Sequence, residues 1–152
     1  CAARRSDDFL IIARTNAVRN TGIEDAIKRL ELYKKAGADV LLASPRNAEE
    51  ARFLGERLPA PLMHLCSPGG LAAIGLTKQE MADMGWKILA DPGTGLFAAY
   101  ETWRNLYAEM ASEFKVTSRP HTDWRELEHE MHEAIDLPKL IAVEKRTVEK
   151  GD

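Results

Sequence analysis

Two hydrophobic patterns alternate along this chain. Short, unbroken apolar runs are followed by segments in which apolar residues recur every three or four positions. The first run is Phe9-Leu10-Ile11-Ile12-Ala13, with Asp7 and Asp8 before it and Arg14-Thr15-Asn16 after it. A continuous run of this length predicts a strand buried on both faces, as in parallel sheets. Thr21 and Glu24 then have the spacing of a capping box. Ile23, Ile27, Leu30 and Tyr33 follow at helical spacing, and Gly37 stands where the helix should stop. Asp39-Val40-Leu41-Leu42-Ala43 predicts a second strand. Asn47 with Glu50 opens a helix that turns Ala51, Leu54 and Leu58 inward. Pro61 introduces a third strand, Leu62-Met63-His64-Leu65-Cys66. Thr77 with Glu80 starts another helix, which ends at Gly85, and Trp86-Lys87-Ile88-Leu89-Ala90 is the fourth strand. A long helix with Leu96, Tyr100, Trp103, Tyr107 and Met110 on one stripe completes the series.

Residues 9–113 thus form strand–helix units in strict alternation, which implies a parallel sheet with right-handed crossovers. The expected organisation is βα units over 1–114, a polar linker over 115–122 containing Pro120, and a helical arm over 123–152. In the arm, Asp123 caps a helix bearing Trp124, Leu127, Met131 and Ile135. Pro138 suits the first turn of a last helix carrying Leu140, Ile141 and Val143. No strand follows, so these apolar stripes should pack on something other than their own sheet.

Composition narrows the picture. The 152 residues are 45% hydrophobic and 30% charged, the balance of a globular protein. This is too short for a complete (β/α)8 barrel, which needs at least ~200 residues. The chain opens on Cys1 rather than Met, as expected if an N-terminal part has been lost. A net charge of -3 argues against a broad nucleic-acid surface. No apolar run has the ~18 residues of a membrane span. With only Cys1 and Cys66, no disulfide framework is expected, which points to the cytoplasm.

In parallel α/β folds, ligands bind at the carboxyl ends of strands. The clusters there are Arg14-Thr15-Asn16, Ser44-Pro45-Arg46, Ser67-Pro68-Gly69-Gly70 and Asp91-Pro92-Gly93-Thr94-Gly95. Glycine turns can present N–H groups to an anion. Arg14 adds a fork of donors matched to carboxylate or phosphate. Together they predict a small anionic ligand, although glycines after strands are commonly plain turn residues. Arg46 and Arg119 read as surface residues. His64 and Cys66 share a strand face; a metal pair is open to them, but packing is the simpler account. His129 and His132, among Glu128, Glu130 and Glu133, read as a solvated face. No Walker A, G-x-S-x-G, H-E-x-x-H or C-x-x-C motif occurs.

The run Asp8-Phe9-Leu10-Ile11-Ile12-Ala13-Arg14-Thr15-Asn16-Ala17 resembles the "DF-x-IIARTDA" strand of the isocitrate lyase/phosphoenolpyruvate mutase superfamily. Other segments resemble that family in the same order. These are Gly22–Ile27, Ala36–Val40, Pro61-Leu62-Met63 with Gly69-Gly70, Met84–Ile88 and Leu137-Pro138-Lys139-Leu140. The resemblance implies an α/β fold: the second half of a (β/α)8 barrel, strands five to eight, followed by C-terminal helices. It implies carbon–carbon or phosphorus–carbon bond chemistry beside a carboxylate, with Mg2+ as cofactor. It also implies a homo-oligomer that exchanges its C-terminal helix. Arg14, Asn16, Ser67, Gly69 and Gly70 become the expected substrate-binding residues.

Several positions depart from the family pattern. Its acidic Mg2+-associated residues and its "K-[KR]-C-G-H" loop have no counterpart in this chain. Asn16 stands where Asp is common, and Ala43-Ser44 where a glutamate is expected. Leu65 and Pro68 replace an Asn and a Glu, removing hydrogen-bonding groups that hydrocarbon cannot replace. By strand alternation Leu65 faces the barrel interior, and His64 and Cys66 face the helices. The expected function is therefore a fragment or diverged member of a Mg2+-dependent lyase or mutase acting on small 2-oxo, malate-like or phosphonate acids, inactive in isolation. A non-catalytic half barrel that pairs with a partner or itself is the alternative. A freestanding four-stranded domain for a phosphorylated ligand fits the size but not the motif order.

Overall fold

A computed structural model describes residues 1–6 and 8–148, so Asp7 and the last four residues of the arm lie outside the described residues. Four parallel strands form one sheet in the order β1-β2-β3-β4: β1 Ile12–Arg14, β2 Val40–Ala43, β3 Leu62–Leu65 and β4 Trp86–Ala90. Between them run α1 Ala17–Asn20, α2 Ile23–Lys35, α3 Ala48–Arg57, a 3-10 turn Gly70–Ile74 and α4 Lys78–Asp83. Then come α5 Thr94–Glu113, α6 Trp124–Ala134 and α7 Leu137–Thr147. Sequential parallel pairing with a helix in every crossover is the arrangement of half a (β/α)8 barrel. The chain divides into two compact units, 1–102 and 103–152.

The core of the first unit lies between one face of the sheet and α2, α3 and α4. Leu30, Leu41, Leu54, Leu62, Met81 and Trp86 are essentially inaccessible there. Trp86 also donates its indole N–H to the Ala51 carbonyl at 3.2 Å, so its one polar atom is satisfied inside the core. Strand alternation divides the residues cleanly. Ala13, Leu41, Ala43 and Leu62 belong to this core, whereas Ile12, Arg14, Leu42, Met63 and Leu65 point to the opposite face. Register places Arg14, Leu42, Met63 and Ile88 in one row across that face.

Most local signals act where the sequence put them. The Asn47 side chain accepts from Glu50 N–H at 2.9 Å, and Thr77 with Glu80 forms a complete capping box. Asp123 accepts from the N–H groups of Arg125 and Glu126. Pro138 lies in the first turn of α7. At the end of α2, Ala38 N–H reaches Tyr33 O and Gly37 N–H reaches Lys34 O, each at 3.0 Å. These are the paired bonds of a Schellman stop, which requires the positive φ of 102° at Gly37.

Three expectations are corrected. The first apolar run is not a doubly buried strand. Pairing starts only at Ile12, and Phe9, Leu10 and Ile12 are 69%, 61% and 46% exposed. β1 has a partner only in β2, and no helix of the first unit covers its second face. Thr21 does not cap α2: Gly22 holds that position, and the Thr21 hydroxyl turns to Asp25. The short helix α1 precedes it, a turn that no apolar periodicity announces. The stripe on α5 is exposed at Leu96, Tyr100, Trp103 and Tyr107.

Candidate anion site at the strand ends

The carboxyl ends of β1, β2 and β3 surround a cavity of about 370 Å3. Arg14, Thr15 and Asn16 enter it from β1, Ser44 from β2, and Leu65, Cys66, Ser67 and Pro68 from β3. Val18, Arg19 and Asn20 complete it from α1. Three of the four strand-end clusters therefore converge. Arg14 is oriented by its own neighbour, since its Nε donates to Asn16 Oδ1 at 3.1 Å. That bond leaves the terminal guanidinium nitrogens for a ligand. No carboxylate is among the lining residues, so the field inside the cavity is positive.

Gly69 and Gly70 stand outside this lining. Gly69 adopts φ 89° and donates its N–H to Thr94 Oγ1 at 2.7 Å, while Gly70 N–H bonds Ser67 O at 3.0 Å. The Gly69 amide thus ties the third strand-end loop to the fourth, while that of Gly70 closes a turn within the third. Asp91 anchors the far side of that tie. It accepts from Thr94 N–H at 2.9 Å and Gly93 N–H at 3.0 Å, as well as from the Thr94 hydroxyl. The Thr94 hydroxyl first, then these amides, hold its carboxyl below the ordinary range.

Two titratable groups, His64 of β3 and Cys66 just after it, behave as packing residues. His64 is 2% exposed, lies edge-on to Trp86 with ring centroids 6.0 Å apart, and is held neutral chiefly by burial. Its Nδ1 has no partner among the described residues. Cys66 reaches the cavity wall, but burial, with Asp91 adding to it, pushes its thiol up. Neither is a ready proton carrier or nucleophile near neutral pH. Arg46 spends its guanidinium on Glu50 (Nε to Oε1, 2.8 Å); on α6, His129 is exposed, whereas His132 is half-buried, unlike the rest of that helix.

A Mg2+ site needs several oxygen ligands. Among the described residues no three of His, Cys, Asp and Glu gather, and the oxygens of Asp91 are committed to Thr94 and Gly93. The residues present do not fit the cofactor that the family resemblance implied, and no step is assigned to a metal on this chain.

The fold points the same way as comparison with known proteins. The family model of phosphoenolpyruvate phosphomutase matches residues 1–111. The chain belongs to the phosphoenolpyruvate phosphomutase family. It is 28% identical over 142 residues to 2,3-dimethylmalate lyase of Eubacterium barkeri, covering 93% of this chain and 48% of that protein. An oxaloacetate acetylhydrolase solved with its product oxalate superposes with TM-score 0.66 at 28% identity, over 89% of this chain and 48% of the other. A phosphonopyruvate hydrolase solved with oxalate and Mg++ has the same fold, with TM-score 0.71 at 24% identity over 97% of this chain and 52% of that one. The two of these proteins above 25% identity are, by name, a lyase and a hydrolase. The chain spans about half the length of the curated relatives it matches, which accords with half a barrel.

Sequence reasoning reached Arg14, Asn16 and Ser67 but missed Arg19 and Asn20. The one available signal was the closeness of Arg19 to a strand end. Nothing in residues 16–22 showed that the chain would turn there and carry Arg19 back over the cavity.

Proposed function

We propose that this chain supplies the anion-binding half of the active site of a carbon–carbon or phosphorus–carbon bond lyase or mutase. Its substrates would be small 2-oxo, malate-like or phosphonate acids. The cavity at the strand ends carries the reading: guanidinium, carboxamide and hydroxyl groups converge there and no acid opposes them. Arg14 holds a carboxylate through its free nitrogens, Asn16 sets its angle, and Ser67 adds a hydroxyl donor. Gly69 and Gly70 act through the backbone, keeping the third loop in register with the fourth. The rest of the machinery, with Mg2+ and its ligands, belongs to residues outside this chain. The assembly would be a cytoplasmic homo-oligomer in which the 123–152 arm crosses to a neighbour.

Oxalate is the test ligand. Calorimetric titration should detect oxalate binding to the chain and lose it in Arg14→Ala, with the thermal unfolding midpoint little changed because Arg14 is exposed. An Arg14→Ala protein that unfolds, with no oxalate binding by the parent, would make Arg14 a structural residue. A non-catalytic half barrel is the second reading. It is favoured for the chain alone because Cys66 is the one lining side chain that ionises below the arginine range, and its thiol is pushed up.

A further inference from the structure

We infer that Arg19 is a specificity-determining residue that reads a second anionic group, carboxylate or phosphonate, at the far end of the ligand held by Arg14; the inference rests on the reading of this cavity as an anion site.

Arg19 and Arg14 reach the same cavity from different elements, Arg19 from the last position but one of α1 and Arg14 from the end of β1. Five other arginines of this unit are matched by acids: Arg4 by Asp39, Arg29 by Asp25, Arg46 by Glu50, Arg52 by Glu80 and Arg57 by Glu24. Among the described residues, neither Arg14 nor Arg19 has a carboxylate within ion-pair distance, and the cavity lining offers none. Two guanidinium groups around one concavity repel each other. A ligand with a single carboxylate at Arg14 would leave Arg19 with only the more distant charge of Glu50, whose carboxyl it helps to hold low, whereas a polyanion with separated groups gives both guanidinium groups a direct partner. The Arg19 charge is also felt at β3, where it contributes to holding His64 neutral. Size agrees with charge. At roughly 30 Å3 per water molecule in the liquid, the cavity holds about a dozen, whereas oxalate has only six non-hydrogen atoms.

The experiment is calorimetric titration of the full chain with oxalate, citrate and phosphonoacetate at one ionic strength. In Arg19→Gln, affinity for citrate, phosphonoacetate or both should fall about tenfold or more, the scale of one charge-assisted contact. Oxalate affinity should stay within about twofold. Arg19→Lys should fall between the parent and Arg19→Gln, because it keeps the charge but loses the fork. Which extended ligand suffers tells carboxylate from phosphonate. An Arg19→Gln protein that weakens all three ligands alike, or none, overturns the inference. Oxalate binding that still depends on Arg14 would then leave the anion-site reading intact. If the parent binds none of the three, both fall together.

Discussion

A single side chain here is worth what its neighbours leave it free to do. Arg14 ends β1 and Arg46 follows β2, yet Arg46 is consumed by Glu50 while Arg14 keeps nitrogens for a ligand. The same contrast separates the two cysteines. Cys1 is exposed, and Cys66 is buried with its thiol pushed up by desolvation. Because the thiolate is the reactive form, Cys1 should react promptly with a disulfide reagent at pH 8, and Cys66 only slowly. Cys1→Ser should abolish the fast phase. A fast phase that survives this change would place Cys66 in an open, electropositive setting instead.

Elements show the same dependence on local bonding. Thr77 caps α4 with a reciprocal box, so Thr77→Ala should cost about 1 kcal/mol by urea denaturation. Thr21 has the same T-x-x-E spacing but does not cap α2, so Thr21→Ala should cost clearly less. Equal losses would mean that the Thr21–Asp25 contact serves as a cap after all. In the second unit, Glu109 of α5 gathers the following turn, accepting from Thr117 N–H at 2.6 Å and Ser118 N–H at 3.0 Å. The Ser118 hydroxyl and these amides pull its carboxyl down to about 2 from an ordinary 4.5. A lowered folded value means that the stabilisation is complete above pH 4.5 and is lost as pH falls towards 2. Hydrogen exchange should show the Thr117 and Ser118 amides protected at pH 5 and progressively open below pH 4.5. In Glu109→Gln their protection should not vary with pH over that range.

Across the molecule, the sheet has two free edges, at β1 and β4, and one face on which Ile12, Met63 and Leu65 lack a helical layer from the first unit. Within the second unit, Trp124, Leu127 and Met131 of α6, with Ile135 at its C-terminal cap, form an exposed apolar stripe. Open edges and apolar faces are an association hazard unless something covers them. Sedimentation at micromolar concentration should therefore find the chain oligomeric, and a stable compact monomer would overturn that expectation.

The order of strands and helices, the stops at Gly37 and Gly85, the caps at Asn47, Thr77 and Asp123, and the strand-end place of Arg14 were all legible in the chain. Each depends on residues within about one turn of each other, or on a period of two or 3.6. Three other features were not legible. Phe9-Leu10-Ile11 is as apolar as any buried strand, but whether a run is covered depends on its neighbours across the sheet, and these arrive from distant sequence. Thr21 matched the capping pattern, yet the path of the chain after α1 gave that position to Gly22. Arg19 carried no signal in the sequence, and only the turn at α1 brings it to the cavity that Arg14 also lines. Local hydrogen bonding follows from sequence spacing, whereas burial and convergence at a cavity depend on packing between segments far apart along the chain.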